Sequence, residues 1–197
     1  MNRNIPAVLG IGIAFCLMVA CHTVQDEEAE REKTEREKAK LSYMNSFLET
    51  NLFYFQSGEG QPLPHLKVLY PVFEASDSVL RPTAARLVLR IRAQHCNLCY
   101  EAEFRRLRAH SSQLGIENVI VLASFKKRDF RVMVKNFEKE LPGVRYVNTL
   151  DPLPFKQESF NQPYYFVLEP DGITHSFFLP DKSLPEYSTE YFSSLTF

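Results

Sequence analysis

Cys96 and Cys99 stand two residues apart, just after the apolar run Leu87-Val88-Leu89 and at the opening of a stretch that reads as helix. A dithiol at that spacing can close to a disulfide without moving backbone. At a helix start the first sulfur also faces unpaired backbone N–H groups and the positive end of the macrodipole, both of which favour thiolate. Cys96 is therefore the expected exposed nucleophile. Cys99, one turn further in, is the expected resolving thiol, attacking the Cys96 sulfur and releasing the product. His95 precedes the pair: as an imidazolium it would lower the Cys96 pKa further, whereas a neutral ring would only shape the rim. Asn97-Leu98 is uncharged, which leaves the dipole as the main source of acidity.

Three other chemistries fit these residues less well. A structural zinc site built from Cys96, Cys99 and either His95 or His110 lacks the second CxxC or HxxxH that would complete four protein ligands. A c-type haem needs histidine directly after the second cysteine, where Tyr100 stands. Peroxidatic chemistry needs a Pro-x-x-x-Thr-x-x-Cys surround that Cys96 lacks. No metal and no organic cofactor is expected.

The chain has 197 residues, 45% of them hydrophobic, which is enough for one ordinary core once its ends are subtracted. Its formal net charge of −1 gives no argument for a nucleic-acid partner. Positions 1–20 hold one basic residue, Arg3, and then an apolar run too short for a confident membrane span, the pattern of an export signal. Leu17-Met18-Val19-Ala20-Cys21 resembles the lipobox of bacterial lipoproteins, which implies acylation, palmitate included, at Cys21 as the mature N-terminus. A plain membrane anchor is the alternative. Of the four cysteines, Cys16 lies in the leader and Cys21 would carry lipid, so Cys96 and Cys99 remain as thiols whose disulfide an exported location would sustain.

Positions 26–40 are almost entirely charged, acidic residues leading and basic ones closing, with Glu32 four residues before Arg36: a solvated helical stalk. Gln25-Asp26-Glu27-Glu28 is similar to the acidic signal that sends some Gram-negative lipoproteins to the cell surface; an ordinary charged spacer is the other reading. Gly and Pro in 56–64 mark a linker. The expected organisation is a signal peptide at 1–20, an anchor, charged stalk and linker at 21–64, and a folded domain at 65–197.

Within that domain 65–73 reads as a short β-prone piece and 74–84 as turn and loop. Interior strands are expected at 87–91 and 118–123, helices at 100–110 and 127–140, and a short strand at 144–147. A hairpin follows, 164–168 and 173–178 about the turn Glu169-Pro170-Asp171-Gly172. The closing helix at 185–195 is expected to turn Tyr187, Tyr191 and Leu195 inward. Tyr164 and Tyr165 should face opposite sides of the sheet.

The order strand, CxxC helix, strand, helix, Gln162-Pro163, hairpin, helix resembles the thioredoxin fold: an α/β domain with a central mixed sheet flanked by helices. It is most similar to the envelope-anchored thiol–disulfide oxidoreductases of the TlpA and ResA type and to thioredoxin-like lipoproteins of Bacteroidetes-type bacteria. The resemblance implies a cis Pro163 that, with the Gln162 backbone, presents a strand edge to a substrate peptide. A trans proline that merely opens a strand is the alternative. It implies cysteine-bearing envelope proteins as substrates, a membrane thiol electron donor, and a lipid anchor in the bacterial envelope, at an outer membrane facing periplasm or surface. One position departs from the pattern. Thioredoxins often bury an aspartate six residues before the first cysteine, and here that position is Arg90, whose expected partner is Glu101, Glu103 or Glu169. Pointing at the dithiol, Arg90 would stabilise thiolate on Cys99; pointing away, it is structural. Arg92 shares its parity and is expected to reach solvent. The function implied is reduction or isomerisation of protein disulfides. The alternative is a non-catalytic thioredoxin-fold lipoprotein serving as a binding or assembly module.

Overall fold

The computed structural model describes residues 7–66 and 82–197, with side chains from position 28 onward, that at 54 excepted. Two compact units result, Met1–Glu49 and Thr50–Phe197. Helix α1 is Ala7–Gly58. In the first unit the charged segment is helical, with Arg36 Nη2 2.5 Å from Glu32 Oε1 at the expected four-residue spacing and both side chains exposed. Among the described residues no helix is long and apolar enough to cross a membrane.

Among the described residues the second unit is built on a six-stranded sheet of order β1-β6-β5-β2-β3-β4. The strands are β1 Gln61–Pro62, β2 Arg86–Arg92, β3 Val119–Ser124, β4 Arg145–Asn148, β5 Tyr164–Leu168 and β6 Ile173–Phe178. β2, β3 and β4 run parallel, while β5 lies antiparallel on the other side of β2, next to β6. β3 is a near-continuous apolar run, and β2 is apolar apart from Arg86, Arg90 and Arg92, because both of their faces are covered. The helices are α2 Asn97–Ala109, α3 Ser111–Leu114, α4 Lys127–Phe137 and α5 Pro185–Ser194.

α2, α4 and α5 share one face. Phe104 of α2 stacks on Phe137 of α4 at 4.0 Å and meets Tyr146 of β4, while Tyr165 of β5 packs edge-on against Phe192 of α5 at 5.3 Å. The opposite face carries Val88, Ile120, Leu122, Val147, Tyr164, Phe166 and Phe177, closed over by Leu66, Leu153 and Phe155. Tyr164 and Tyr165 thus face opposite layers, as strand alternation requires. A central mixed sheet flanked by helices, with the CxxC helix leaving a central strand, is the thioredoxin-like α/β arrangement.

Three expectations need correction. The segment 56–64 is not a linker: α1 continues to Gly58, and Gln61–Pro62 pairs with Ile173 and Thr174 at the sheet edge. Gly58 permits this, since a Cβ there would fall 2.2 Å from the Phe177 ring. Asn51 holds the same end of α1, its Oδ1 accepting from the Leu179 N–H at 2.7 Å and its Nδ2 donating to the Leu179 carbonyl at 3.2 Å. The compact unit accordingly starts at Thr50 and not at the expected 65. Third, α5 buries Ser188 and Phe192, which the expectation missed; Tyr191 does turn toward the sheet, stacking on Phe178 at 4.6 Å and donating to the Ser176 carbonyl, whereas Leu195 lies beyond the helix end. The expected pieces at 65–73 and 74–84 fall largely outside the described residues.

Candidate functional site

β2 ends at Arg92, and the chain turns through Ala93–His95 into α2. The Ala93 N–H donates to the Ser124 carbonyl at 3.0 Å, stapling this loop to the end of β3. Cys96 is the N-cap of α2, with φ −56° and ψ 124° and no side-chain cap bond, so its sulfur lies beside the helix's first N–H groups. Cys96 is exposed and Cys99 half-buried, and both are free thiols.

The two sulfurs are electrostatically unequal. A hydrogen bond from the Cys99 thiol, then the backbone N–H groups of Cys99 and Leu98, hold Cys96 below the ordinary thiol range, with Lys182 adding its charge. Burial pushes Cys99 up to about 11, helped by its hydrogen bond to Cys96 and by the charges of Cys96 and Glu103. The outer sulfur is set to attack, and the inner one keeps its proton until called on.

His95 is not a rim residue. It is 3% exposed, its Nδ1 accepts the Arg92 N–H at 3.1 Å, and its Nε2 has no partner among the described residues. Burial, then Arg92 and Arg90, lower its pKa to about 4, so it is neutral at neutral pH and brings no positive charge to Cys96. It positions the loop that carries Cys96.

Arg90 points away from the dithiol, to the face opposite α2, and none of its expected partners holds it. Its Nε donates to Glu158 Oε1 at 2.8 Å and its Nη2 to Glu158 Oε2 at 3.3 Å. Glu158 sits in a short 3-10 turn, Lys156–Ser159, in the loop between β4 and β5. Tyr164 donates its hydroxyl to the same carboxylate at 2.8 Å. Arg92 does not reach freely to solvent either: its Nε lies 3.4 Å from Glu158 Oε2, and its Nη1 donates to the Glu158 carbonyl. Burial alone would raise the Glu158 pKa; Arg90, Tyr164 and Arg92 outweigh it and hold the carboxyl below its usual value. Arg90 is structural.

A buried acid does lie near the dithiol, on the helix. Glu103, 3% exposed, is four residues after Cys99 and therefore on the same side of α2. Its Oε2 accepts the Tyr165 hydroxyl at 3.0 Å, and its Oε1 pairs with Arg106, which in turn donates to the Asp181 carbonyl at 3.1 Å. Burial pushes its pKa up to about 7 against the pull of Arg106 and Tyr165. The i,i+4 spacing to Cys99 was the sequence signal for this pairing. Its burial was not legible.

Pro163 is buried at the start of β5, and the register Arg90↔Tyr164 brings it to the same end of the sheet as Cys96. Among the described residues no peptide bond is cis, so the Gln162–Pro163 bond is trans, against expectation. Immediately before the first strand residue, Tyr164, the missing N–H leaves no ladder bond unmade, and the trans form suffices to open β5. The Gln162 amide reaches the Pro180 carbonyl at 3.5 Å. A residue the sequence did not single out, Asn148, is fully buried at the end of β4 and clamps Phe125, its Oδ1 accepting that N–H and its Nδ2 donating to that carbonyl, each at 3.0 Å. His110 closes the far end of α2, roughly 20 Å from Cys96 at 1.5 Å rise per residue, and bonds the Arg106 carbonyl. The side chain of Cys21 lies outside the described residues.

No protein-family model matches this chain, and no curated protein matches it. Among solved structures it is similar to reduced Prx3 from Vibrio vulnificus, at 11% identity and TM-score 0.45, over 64% of this chain and 88% of that one. A peroxiredoxin-like protein from Aquifex aeolicus matches at 10% identity and TM-score 0.41, over 68% and 86%. A domain of a possible thiol-disulfide isomerase from Cytophaga hutchinsonii matches at 12% identity and TM-score 0.42, over 70% and 93%. These are likenesses only. The fold assignment rests on the strand order and helix placement above.

Proposed function

We propose that the domain is a thiol–disulfide oxidoreductase that reduces or isomerises disulfides of cell-envelope proteins. The carrying observation is the asymmetric dithiol: an exposed Cys96 thiol lowered at the mouth of α2 and a half-buried Cys99 thiol raised behind it. The Cys96 thiolate attacks a client disulfide, the client S–S bond breaks, and a mixed disulfide forms while the leaving client thiolate takes a proton from solvent. Cys99 then gives its proton to the Glu103 carboxylate and attacks the Cys96 sulfur. The mixed disulfide breaks, the second client thiolate leaves and is protonated, and two electrons have passed from the dithiol to the client. A thiol donor restores the dithiol; in isomerisation the client's own thiolate resolves the mixed disulfide instead.

A cation six residues before Cys96 would favour a non-catalytic module if it faced the dithiol. The engagement of Arg90 with Glu158 on the opposite face supports the catalytic reading, in which Glu103 handles the dithiol's proton. We read positions 1–20 as the export signal and Cys21 as the lipid-bearing residue, with the donor in the adjoining membrane.

The test is turnover of insulin or glutathione disulfide by the full chain, wild type against Cys96→Ser. Thiol-dependent activity in the wild type alone is expected, and Cys99→Ser should trap mixed disulfides with envelope proteins. Equal, background rates in wild type and Cys96→Ser would overturn the reading. Cys21→Ser should move the protein out of the membrane fraction; an unchanged distribution would remove the anchor.

A further inference from the structure

Lys126, Lys127 and Arg128 follow β3 directly, and their location is fixed with unusual care. Phe125, the residue before them, packs edge-on against Tyr100, the residue after Cys99, at 6.4 Å between ring centroids. The Ala93 N–H holds the neighbouring Ser124 carbonyl, and the fully buried Asn148 locks the Phe125 backbone from the other side. The three cations therefore leave the sheet beside the CxxC turn, at the end where β2, β3 and β4 all terminate. All three are exposed, as are Arg131 on the next turn and Lys182 in the β6–α5 loop, whose charge acts on both cysteines.

Nothing in local helix physics asks for them. Lys126 is the N-cap of α4 and makes no capping bond, where Asp, Asn, Ser or Thr would serve the helix. Lys127 and Arg128 stand in its first turn, where the macrodipole favours carboxylates. The carboxylates on the same segments are Asp129, exposed, and Glu101 and Asp181, both half-buried. Between the two cysteines Leu98 is 64% exposed, an apolar contact inside the charged rim. A chain of net charge −1 has thus gathered exposed cations at the end of the sheet that carries its dithiol, at local cost to helix α4.

Resting on the oxidoreductase reading, the geometry points to clients whose reactive cysteine is flanked by acidic residues: the rim formed by Lys126, Arg128 and Lys182 binds an acidic polypeptide segment while Leu98 meets an apolar residue beside the client sulfur. Complementary charge of this kind raises encounter rate and sets partner choice, and it weakens with salt.

The experiment measures equilibrium binding and reduction of two peptide series by the full chain. One series has Asp/Glu and the other Lys/Arg around a disulfide, each with a serine version that can bind but not exchange, at roughly 20 mM and 300 mM salt. Expected is about a tenfold preference for the acidic series in both binding and rate, shrinking at high salt. In Lys126→Asp/Arg128→Glu the preference should be lost or reversed, although that variant gains a helix cap and a favourable dipole interaction and should be at least as stable. Equal binding of acidic and basic serine peptides would overturn the inference even if both disulfide peptides are reduced. So would binding to phosphatidylglycerol vesicles without peptide preference, which would make the rim a membrane contact. Acidic-selective binding with no reduction would sustain the rim and overturn the redox reading instead.

Discussion

Arg90 Nε and Glu158 Oε1 lie 2.8 Å apart, joining the middle of the central strand to the loop that follows β4. The arginine is 1% and the glutamate 12% exposed, so each depends on the other. Glu158→Ala leaves a buried guanidinium uncompensated and should cost about 3–5 kcal/mol in urea unfolding. Replacing both residues by leucine should cost less than that single change, because no charge is then stranded. A loss below about 1 kcal/mol for Glu158→Ala, the range of an exposed pair, would show that the pair is open to water.

The two thiols should differ in reactivity. Iodoacetamide at pH 7 should label Cys96 at least about tenfold faster than Cys99, and the Cys96 rate should reach half its plateau below the ordinary thiol pKa of about 8.5. Peptide mapping after timed alkylation reads both. Equal labelling of the two sulfurs would contradict the described asymmetry.

Glu103 has its pKa near 7, so its carboxylate fraction grows through neutral pH and the resolving step should accelerate with it. Glu103→Gln should flatten that rise between about pH 6 and 8 and lengthen the mixed-disulfide lifetime about tenfold. Tyr165→Phe removes a hydrogen bond that favours the carboxylate, so the inflection should move to higher pH. Stopped-flow decay of a Cys96 mixed disulfide checks both. An unaltered pH profile in Glu103→Gln would confine that residue to structure.

His95 ties stability to acidity. Its folded pKa of about 4 lies below its ordinary 6.5, so between these values the unfolded chain binds more protons. Stability from His95 is therefore complete above about pH 6.5 and is lost as pH falls toward 4. Glu103 works in the opposite sense: its pKa is raised from 4.5 to about 7, so its contribution declines as pH rises through that range. The informative quantity is the difference between wild type and His95→Asn. It should favour wild type more at pH 7 than at pH 4.5 in thermal unfolding, and a pH-independent difference would count against a buried neutral ring.

Asn148→Ala deprives the Phe125 backbone of two side-chain hydrogen bonds. A loss of about 1–3 kcal/mol is expected, together with weaker discrimination between acidic and basic peptides as the turn before Lys126 loosens. Stability unchanged by the substitution would mean that water replaces the amide.

Local features of this protein are written in the sequence. The apolar β-branched runs give β2 and β3 within a residue or two, because an interior strand must be apolar on both faces. The hairpin is equally legible: Gly172 takes φ +85°, the Gly172 N–H closes onto the Glu169 carbonyl at 2.9 Å, and Asp171 Oδ1 accepts the Ile173 N–H. The dithiol at a helix mouth follows from spacing alone, since four consecutive residues fix where two sulfurs stand relative to one another. Other features depend on contacts that spacing does not encode. Arg90 finds Glu158 from 68 positions away, and Thr174 donates to Gln61 across 113, turning an apparent linker into an edge strand. The neutral His95, the half-ionised Glu103 and the outward turn of Lys126 have the same origin. Periodicity reports which face of an element is buried, but what that face meets, and hence the charge state of a buried group, is decided by residues brought beside it only when the sheet assembles.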